Sequence, residues 1–487
     1  MCYHMRGNEV LPRRKPKLLI KLMTSVSMYV YSGHQLFLSR NLWWDTQCQT
    51  LPLRSLLQFR YSIFVTSYTL KSQKAGSVCK PMNLSVKKTT FHYSSQLLLA
   101  FFSIPVGAAI GTIDAIFGRV LLWITDLRNL YFFPLVLFLP IGGIVIAYCY
   151  LHFGGKSSKG MNLVFEVGHG EEEIIPLKLI PFVMCGTWIT HIFGGSAGRE
   201  GVAVQIGATV SHWIGRHIPI KNAPNIFLVV GMAAGFSGLF RTPIAAVFFA
   251  MEVLVAGELK YEALFPSLVA SFTASQTSKS LGLEKFTFYL SDNISFQPST
   301  MIKLLVLGMI FGLVGGFFAW ALKQMKQAMS VKLPNPIIRI AVIGIILVPL
   351  FIFLHGGRYC GLGTNLINVS FAGDTIYAYD WLLKLTFTIL TLAAGFQGGE
   401  VTPLFSIGSS MGVMLAGIMG LPVQFAAALG YAALFGGATN TLLAPVLIGA
   451  EVFGYTYLPY FFIVCSISYV FNLNKSIYGK QKCLLKL

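Results

Sequence analysis

The stretch GGSAGREGVAVQIGA, residues 194–208, places two adjacent charged residues inside a long apolar region of the sequence. Arg199 and Glu200 have a glycine on either side, and apolar runs precede and follow them. Lipid cannot satisfy a free backbone N–H group, so a helix breaks at membrane depth only where protein or a water-filled cavity replaces the lipid. The stretch therefore predicts a helix break inside a membrane protein.

The composition agrees with that class. Hydrophobic residues make up 55% of the 487 residues and charged residues only 11%, whereas soluble domains carry roughly 25% charged residues. The remainder of the chain alternates long apolar segments with short polar links, which we interpret as spans at 96–124, 130–153, 177–193, 225–255, 261–281, 302–322, 337–354, 381–396, 404–420, 425–453 and 458–472. The sequence predicts an all-α, multi-pass membrane protein.

The net charge of +19 is unevenly distributed. Residues 1–81 hold twelve Lys and Arg against two acidic residues, and they contain no sustained apolar span. We interpret this segment as an N-terminal extension, either disordered or added by a start assigned too far upstream of Met82. Basic residues do not interleave with aromatic residues anywhere in a block, so a nucleic-acid partner is not expected.

The body of the chain contains an internal duplication. GMAAGFSGLFRTPIAAVFFAMEV (231–253) and GYAALFGGATNTLLAPVLIGAEV (430–452) are identical at ten of 23 positions. At nearly the same offset, GREGVAVQIGA (198–208) lies over GEVTPLFSIGS (399–409). Repeated broken segments in two halves are typical of transporter folds. We therefore predict two repeated halves at 93–285 and 298–480, whose broken helices meet at the middle of the bilayer.

A helix that starts inside the membrane presents unpaired N–H groups and the positive end of its dipole, which together favour an anion. The two copies of the charged glycine motif would direct two such helix starts at one place. Glu200 could occupy that anion site when deprotonated and leave it, carrying a proton, when protonated. The alternative is that Glu200 merely pairs with Arg199.

Three other glutamates are less clear. Glu400 either lines the pathway or caps the helix that begins near Thr402. Glu252 and Glu451 end the two copies of the repeated helix, and we expect them to bind backbone N–H groups or to lie at a rim of the pathway.

GREGVAVQIGA closely resembles the G(R/K)EG motif of the CLC chloride channel and transporter family, and GGEVTPLFSIGSSMG (398–412) resembles its second filter segment. The resemblance covers about residues 93–480. It implies a homodimer with one ion pathway per subunit and an all-α fold of CLC type, in which the two halves form an inverted-topology repeat. It also implies Glu200 as the gating glutamate and Tyr478 as the central tyrosine.

Departures from the chloride-type pattern favour one branch of that family. Val202 follows the GREG element where chloride-type members carry proline, and the loop SKGMNLVFE (158–166) carries Met161 where they carry serine. These features resemble the fluoride/proton antiporters. The resemblance implies an anion-binding set of Met161, Gly198, Arg199, Gly201, Val202, Glu400, Val401, Thr402 and Tyr478.

The function expected from this resemblance is fluoride export in exchange for protons, from a cell membrane of bacterial type. The alternative is a chloride/proton antiporter or a voltage-gated-type chloride channel. Val253 stands where many chloride antiporters carry an inner proton-transfer glutamate, so a chloride-type proton handoff is in doubt. An enzyme is not expected, because the spans contain no nucleophile–base pair.

No cofactor or metal is expected either. The tetrapeptide GGKS (154–157) lacks the first glycine of a phosphate-binding loop, since Tyr150 stands there. His212 and His217 are five residues apart, so they do not share one face of a helix as paired metal ligands would.

Overall fold

The computed structural model of the protein describes residues 86–291 and 294–484. The predicted N-terminal extension, residues 1–81, lies outside the described residues. The division of the body into halves at 93–285 and 298–480 stays a prediction.

The described chain is mostly helical. Its α-helices are α1 Val86–Leu130, α2 Phe132–Val136, α3 Leu139–Cys149, α4 Met161–Gly168, α5 Leu179–Ile192, α6 Glu200–Gly215, α7 Ala223–Phe240, α8 Pro243–Glu252, α9 Leu264–Ser280, α10 Pro298–Lys332, α11 Pro336–Phe353, α12 Thr364–Ala372, α13 Asp380–Ala394, α14 Val401–Met419, α15 Val423–Thr439, α16 Leu443–Phe453 and α17 Leu458–Phe471. Two short parallel strands, β1 Val255–Ala256 and β2 Lys482–Cys483, pair with each other. The expectation of an all-α architecture is confirmed.

Within the described residues, five segments are long and apolar enough to cross a membrane: Ser94–Leu130, Ala223–Phe240, Pro298–Lys332, Pro336–Phe353 and Val401–Met419. Shorter apolar helices lie between and after them. The long helices carry exposed large apolar side chains such as Trp123, Phe317 and Ile345. An apolar surface of this extent is what a lipid-facing perimeter requires.

Two predicted spans are broken where the sequence suggested continuous helices. The span expected at 225–255 divides into α7 and α8, because Arg241 ends α7 in a left-handed conformation (φ 59°). Pro243, which has no N–H group to donate within a helix, then begins α8. The span expected at 425–453 breaks in the same way at Asn440 (φ 56°), between α15 and α16. The interpretation of each as a single span was wrong.

The span expected at 130–153 is also interrupted. It forms α2 and α3 and then a π-helical turn at Tyr150–Gly154. In addition, α12 between α11 and α13 was not predicted, because its nine residues are too short to give a clear apolar period.

Small residues bring the paired helices of each half into backbone contact. A β-carbon on Gly207 of α6 would overlap the carbonyl oxygen of Gly231 on α7. In the second repeat, a β-carbon on Gly408 of α14 would overlap the carbonyl oxygen of Gly430 on α15 in the same way. Only glycine permits such an approach at these positions. Both contacts fix the helices that begin at the charged glycine motifs.

Candidate anion and proton site

The two charged glycine motifs meet in the interior of the protein. Gly198 and Gly399 form an isolated antiparallel bridge, in which the N–H of Gly399 donates to the oxygen of Gly198 at 2.8 Å and the reverse hydrogen bond is 2.5 Å long. Helices α6 and α14 begin just after this bridge, at Glu200 and Val401. The predicted convergence of two helix starts on one place is therefore present.

Glu200 lies with its carboxylate on the first turn of α14. The side chain is fully buried, and the backbone N–H of Thr402 donates to its Oε2 at 3.2 Å. The hydroxyl of Thr402 donates to the same oxygen. The carboxylate thus occupies the place that an anion would take at the start of α14.

Arg199 supplies positive charge beside this carboxylate. Its Nε lies 3.6 Å from Oε1 of Glu200, and its side chain is only 12% exposed. The Nε and Nη1 atoms of Arg199 are buried and have no hydrogen-bond partner among the described residues, and the same is true of Oε1 of Glu200. Glu200 therefore contacts both Arg199, as the alternative prediction stated, and Thr402. Polar atoms of Arg199 and Glu200 nevertheless remain buried without a hydrogen-bond partner in this part of the structure.

Close backbone packing surrounds Glu200. A β-carbon on Gly198 would lie 2.8 Å from Cδ of Pro403, and one on Gly201 would lie 3.5 Å from Cα of Gly399. Val202 and Val401 are buried beside these glycines, in the first turns of α6 and α14. The first N–H groups of both helices lack partners inside their own helix. The predicted residues of the two motifs therefore form one compact cluster.

Glu400 points differently from Glu200. It precedes α14 and makes no side-chain cap hydrogen bond, so the capping alternative is wrong. Its Oε1 lies 3.9 Å from Nζ of Lys326 on α10. Its Oε2 would lie 3.9 Å from a β-carbon on Gly201. The Glu400 carboxylate is therefore close to the cluster that the two glycine motifs form.

Tyr478 reaches the cluster from the C-terminal segment. Its ring is buried and stacks on Phe165 of α4 at a centroid distance of 5.2 Å. Its hydroxyl is buried without a hydrogen-bond partner in the described part of the chain, and it lies within electrostatic range of both Glu400 and Glu200. An unpartnered buried hydroxyl is a donor available to an anion.

Met161 is the first residue of α4 and packs, half-buried, against the same apolar cluster as Tyr478. The preceding residue, Gly160, would place a β-carbon 3.4 Å from Oε1 of Gln205 on α6. Gln205 donates through its side chain to the oxygen of Gly201 at 3.2 Å. The start of α4 is thereby connected to the first turn of α6, although 39 residues separate Met161 from Glu200 in sequence.

Sequence reasoning missed a buried lysine that binds the segment preceding Arg199 and Glu200. Lys384 of α13 is fully buried and donates to Oγ of Ser196 at 2.9 Å and to the oxygen of Gly361 at 2.7 Å. Gly361 in turn donates its N–H to the oxygen of Gly195 at 3.1 Å. The signal for it was present, because Lys384 is a single charge inside the apolar run WLLKLTFTIL (381–390).

The expectation that Glu252 and Glu451 bind backbone N–H groups is confirmed, and the contacts are reciprocal between the repeats. Glu252 ends α8 and accepts from the N–H groups of Leu442, Leu443 and Ala444 at 3.1, 3.1 and 2.8 Å. Glu451, in α16, accepts from those of Ile244 and Ala245 at the start of α8, at 3.3 and 2.9 Å. Each carboxylate stabilises the positive helix start of the other repeat.

The fold and the site define an all-α, multi-pass membrane protein whose broken helices present their N-termini to one internal carboxylate. The sequence matches the family described as voltage gated chloride channel over residues 142–473. The chain belongs to this family.

Among its relatives, the chain is 33% identical to the chloride/fluoride channel protein of Pseudomonas syringae pv. tomato over 352 residues, which are 71% of this chain and 77% of that protein. It is 24% identical to the H(+)/Cl(-) exchange transporter ClcA of Citrobacter koseri over 342 residues, covering 65% of this chain and 72% of that one.

Two solved structures are also similar. One is a CLC-type fluoride/proton antiporter with 54% sequence identity and a TM-score of 0.79, and the match covers 80% of this chain and 99% of that one. The other is a slow cyanobacterial Cl-/H+ antiporter with 20% identity and a TM-score of 0.68, covering 79% and 96%, which shows the fold alone. The resemblance to the fluoride/proton branch of the family is confirmed.

Proposed function

We propose that this protein exports fluoride across a membrane in exchange for protons, with Glu200 as the gate that carries the proton. The observation that carries this proposal is the contact of the Glu200 carboxylate with both the N–H group and the hydroxyl of Thr402. A carboxylate in an anion site is a competitor for the transported anion and an acceptor for the exchanged proton.

The geometry suggests how exchange proceeds. Deprotonated Glu200 occupies the start of α14 and excludes the anion. When Glu200 accepts a proton, it loses its charge and with it most of its attraction to the helix start. The neutral side chain then leaves, the anion takes its place beside Thr402, and the proton moves with Glu200. Return of the carboxylate requires that the proton depart, so one movement is coupled to the other.

Fluoride fits the polar atoms of this site. It is small, strongly hydrated and the conjugate base of a weak acid, so it needs hydrogen-bond donors to replace its water. Thr402, the helix N–H groups and the hydroxyl of Tyr478 are such donors. Met161 offers a thioether, which cannot donate a hydrogen bond as a serine hydroxyl would. We assign Met161, Thr402 and Tyr478 to the walls of the anion path, with the backbone of Gly198, Gly201, Val202 and Val401 around them.

We also propose that the working form is a homodimer in a lipid bilayer, each subunit with its own path, and that the membrane is a bacterial plasma membrane. Relatives from Pseudomonas and Citrobacter support the bacterial setting. Exposed apolar residues along α1 and α10 provide surface for lipid or a second subunit.

Chloride/proton exchange is the second candidate, supported by the name of the Citrobacter relative. Vesicles loaded with equal fluoride and chloride, read with ion-selective electrodes, distinguish the two. We expect fluoride efflux faster than chloride efflux and proton uptake that follows the fluoride. Equal efflux of the two anions contradicts the proposal.

The substitution Met161→Ser tests the path wall in the same vesicles. We expect the fluoride-to-chloride rate ratio to fall by about tenfold, the value of one hydrogen bond to a charged group. Met161→Leu is the matched control, since it keeps an apolar side chain and should keep the ratio. If both variants retain the wild-type ratio, Met161 does not select the anion.

A further inference from the structure

A second charged cluster lies next to the proposed anion site. It joins the two chain segments that carry Met161 and Tyr478, which we assign to the walls of the anion path. Glu166 of α4 accepts from Nζ of Lys159 at 2.7 Å and lies 3.1 Å from Nζ of Lys480. The side chain of Glu166 is only 9% exposed, whereas the two lysines are 43% and 44% exposed. One nearly buried carboxylate therefore joins two cations from distant parts of the chain.

The positions of those lysines are informative. Lys159 lies two residues before Met161, and Lys480 lies two residues after Tyr478. Glu166 thus connects the two segments immediately beside the residues that we assign to the path walls. Because each lysine is only two positions from one of these side chains, a change in the contacts of Glu166 would shift the positions of Met161 and Tyr478.

Other contacts show that the two segments pack directly against each other. Phe165, adjacent to Glu166, stacks on Tyr478, and Nε2 of His169 lies 3.1 Å from the oxygen of Lys480. A β-carbon on Gly479 would lie 3.9 Å from Oδ1 of Asn162. The segment that carries Tyr478 is therefore seated on α4 along its length.

Different elements hold the far side of the Tyr478 segment. Strand β2 pairs with β1 just after α8, and the side chain of Gln481 donates to the oxygen of Val253 at 2.9 Å. Glu171, three residues after the end of α4, lies 2.8 Å from Nζ of Lys482 and 3.6 Å from Nζ of Lys480. The segment is thus anchored beyond Tyr478 to β1 and Val253, next to α8, while Glu166 and Glu171 hold it to α4 and the residues that follow α4.

We propose that Glu166 is a positioning residue of the anion path, which sets the separation of Met161 from Tyr478 by holding Lys159 and Lys480 together. The inference rests on the proposed function, because it takes these two residues as path walls. A narrow separation makes any anion give up its water to Thr402 and the Tyr478 hydroxyl. A wider one admits a larger, partly hydrated anion and weakens the preference for fluoride.

The charge on Glu166 is maintained by its surroundings. The hydrogen bond from Lys159, with Lys480 beside it, holds the pKa of the Glu166 carboxyl below its usual value. The group therefore stays ionised at neutral pH and through mildly acidic conditions, and the two lysines stay joined.

The test is Glu166→Gln, which keeps the shape of the side chain and removes its charge. We expect the fluoride-to-chloride rate ratio in vesicles to fall by about two- to fivefold, the range that a partly exposed ion pair supports. Glu172→Gln is the matched control. It removes the same charge from a residue that binds Lys156 and Lys159 but not Lys480, so the ratio should stay at the wild-type value. An unchanged ratio in folded Glu166→Gln protein overturns the inference.

A disulfide between the two segments separates the positioning role of Glu166 from a general loss of stability in Glu166→Gln. Asn162→Cys together with Gly479→Cys, in the Glu166→Gln background, should join the two segments by a disulfide and restore the ratio on oxidation. A ratio that stays low in the oxidised protein overturns the positioning role. The measurement is a ratio, so it tests Glu166 whichever anion the wild-type protein prefers. A wild-type protein that moves chloride as fast as fluoride contradicts the proposed function separately.

Discussion

The turn before α6 and the turn before α14 occupy equivalent places in the two repeats but carry their charges differently. In the first, Gly198 is followed by Arg199 and Glu200, and the carboxylate is the first residue of its helix. In the second, Gly399 is followed by Glu400 and Val401, so the carboxylate stands one residue before its helix. The two turns pair through Gly198 and Gly399.

This shift of one residue decides what each carboxylate contacts. Glu200 lies across the repeat boundary on Thr402, whereas Glu400 lies 3.9 Å from Lys326 and makes no cap contact with α14. The duplicated motifs therefore provide two helix starts, and only the start of α14 is contacted by a carboxylate, that of Glu200, at the place we propose for the anion. Substitutions in and around each turn test this difference between Glu200 and Glu400.

The largest effect is expected from Glu200→Gln. Glutamine preserves the shape of the side chain but cannot carry the exchanged proton, so proton uptake and the fluoride flux coupled to it should fall by about 100-fold or more. Proton uptake in reconstituted vesicles measures this directly. Proton flux at the wild-type rate in this variant would show that another group carries the proton.

A smaller effect is expected at the partner of that carboxylate. Thr402→Val removes the hydroxyl that contacts Glu200 but keeps the size of the side chain, and we expect coupled fluoride flux to fall by about tenfold. Thr441→Val is the control, because Thr441 is equally buried but bonds to Thr439 instead. Equal losses in both variants would mean that the effect comes from general destabilisation of the helix ends.

The smallest effect is expected in the second turn. Lys326→Met removes the cation that lies 3.9 Å from Oε1 of Glu400. The Lys326 side chain is 47% exposed. Such a pair contributes little, so fluoride flux should change by less than about threefold and the change should shrink at high salt. Lys323→Met, on the same helix, is the control. A loss as large as that of Glu200→Gln would show that the two turns are functionally equivalent.

The candidate site at Glu200 could be proposed from the sequence, because it depends on local features. Charges between glycines, apolar runs on both sides and a second copy about 200 residues later identified Glu200 and its helix start. The same approach failed at 225–255 and 425–453, where the apolar pattern continues through a break. An apolar pattern reflects which residues are buried, and the residues on both sides of each break are buried. The pattern therefore continues through the break and does not reveal it. Pro243, after Arg241, was the available local signal for the first break.

The class of protein, the duplicated plan and the choice of Glu200 as the candidate gate follow from residue type and spacing along the chain. Only the tertiary structure decided which partners those groups meet: Thr402 for Glu200, the start of α16 for Glu252, and Lys480 for Glu166. Those partners lie from 190 to more than 300 residues away. Contacts at such separations depend on how whole helices pack, and a single sequence records that packing only indirectly, through its small and apolar residues.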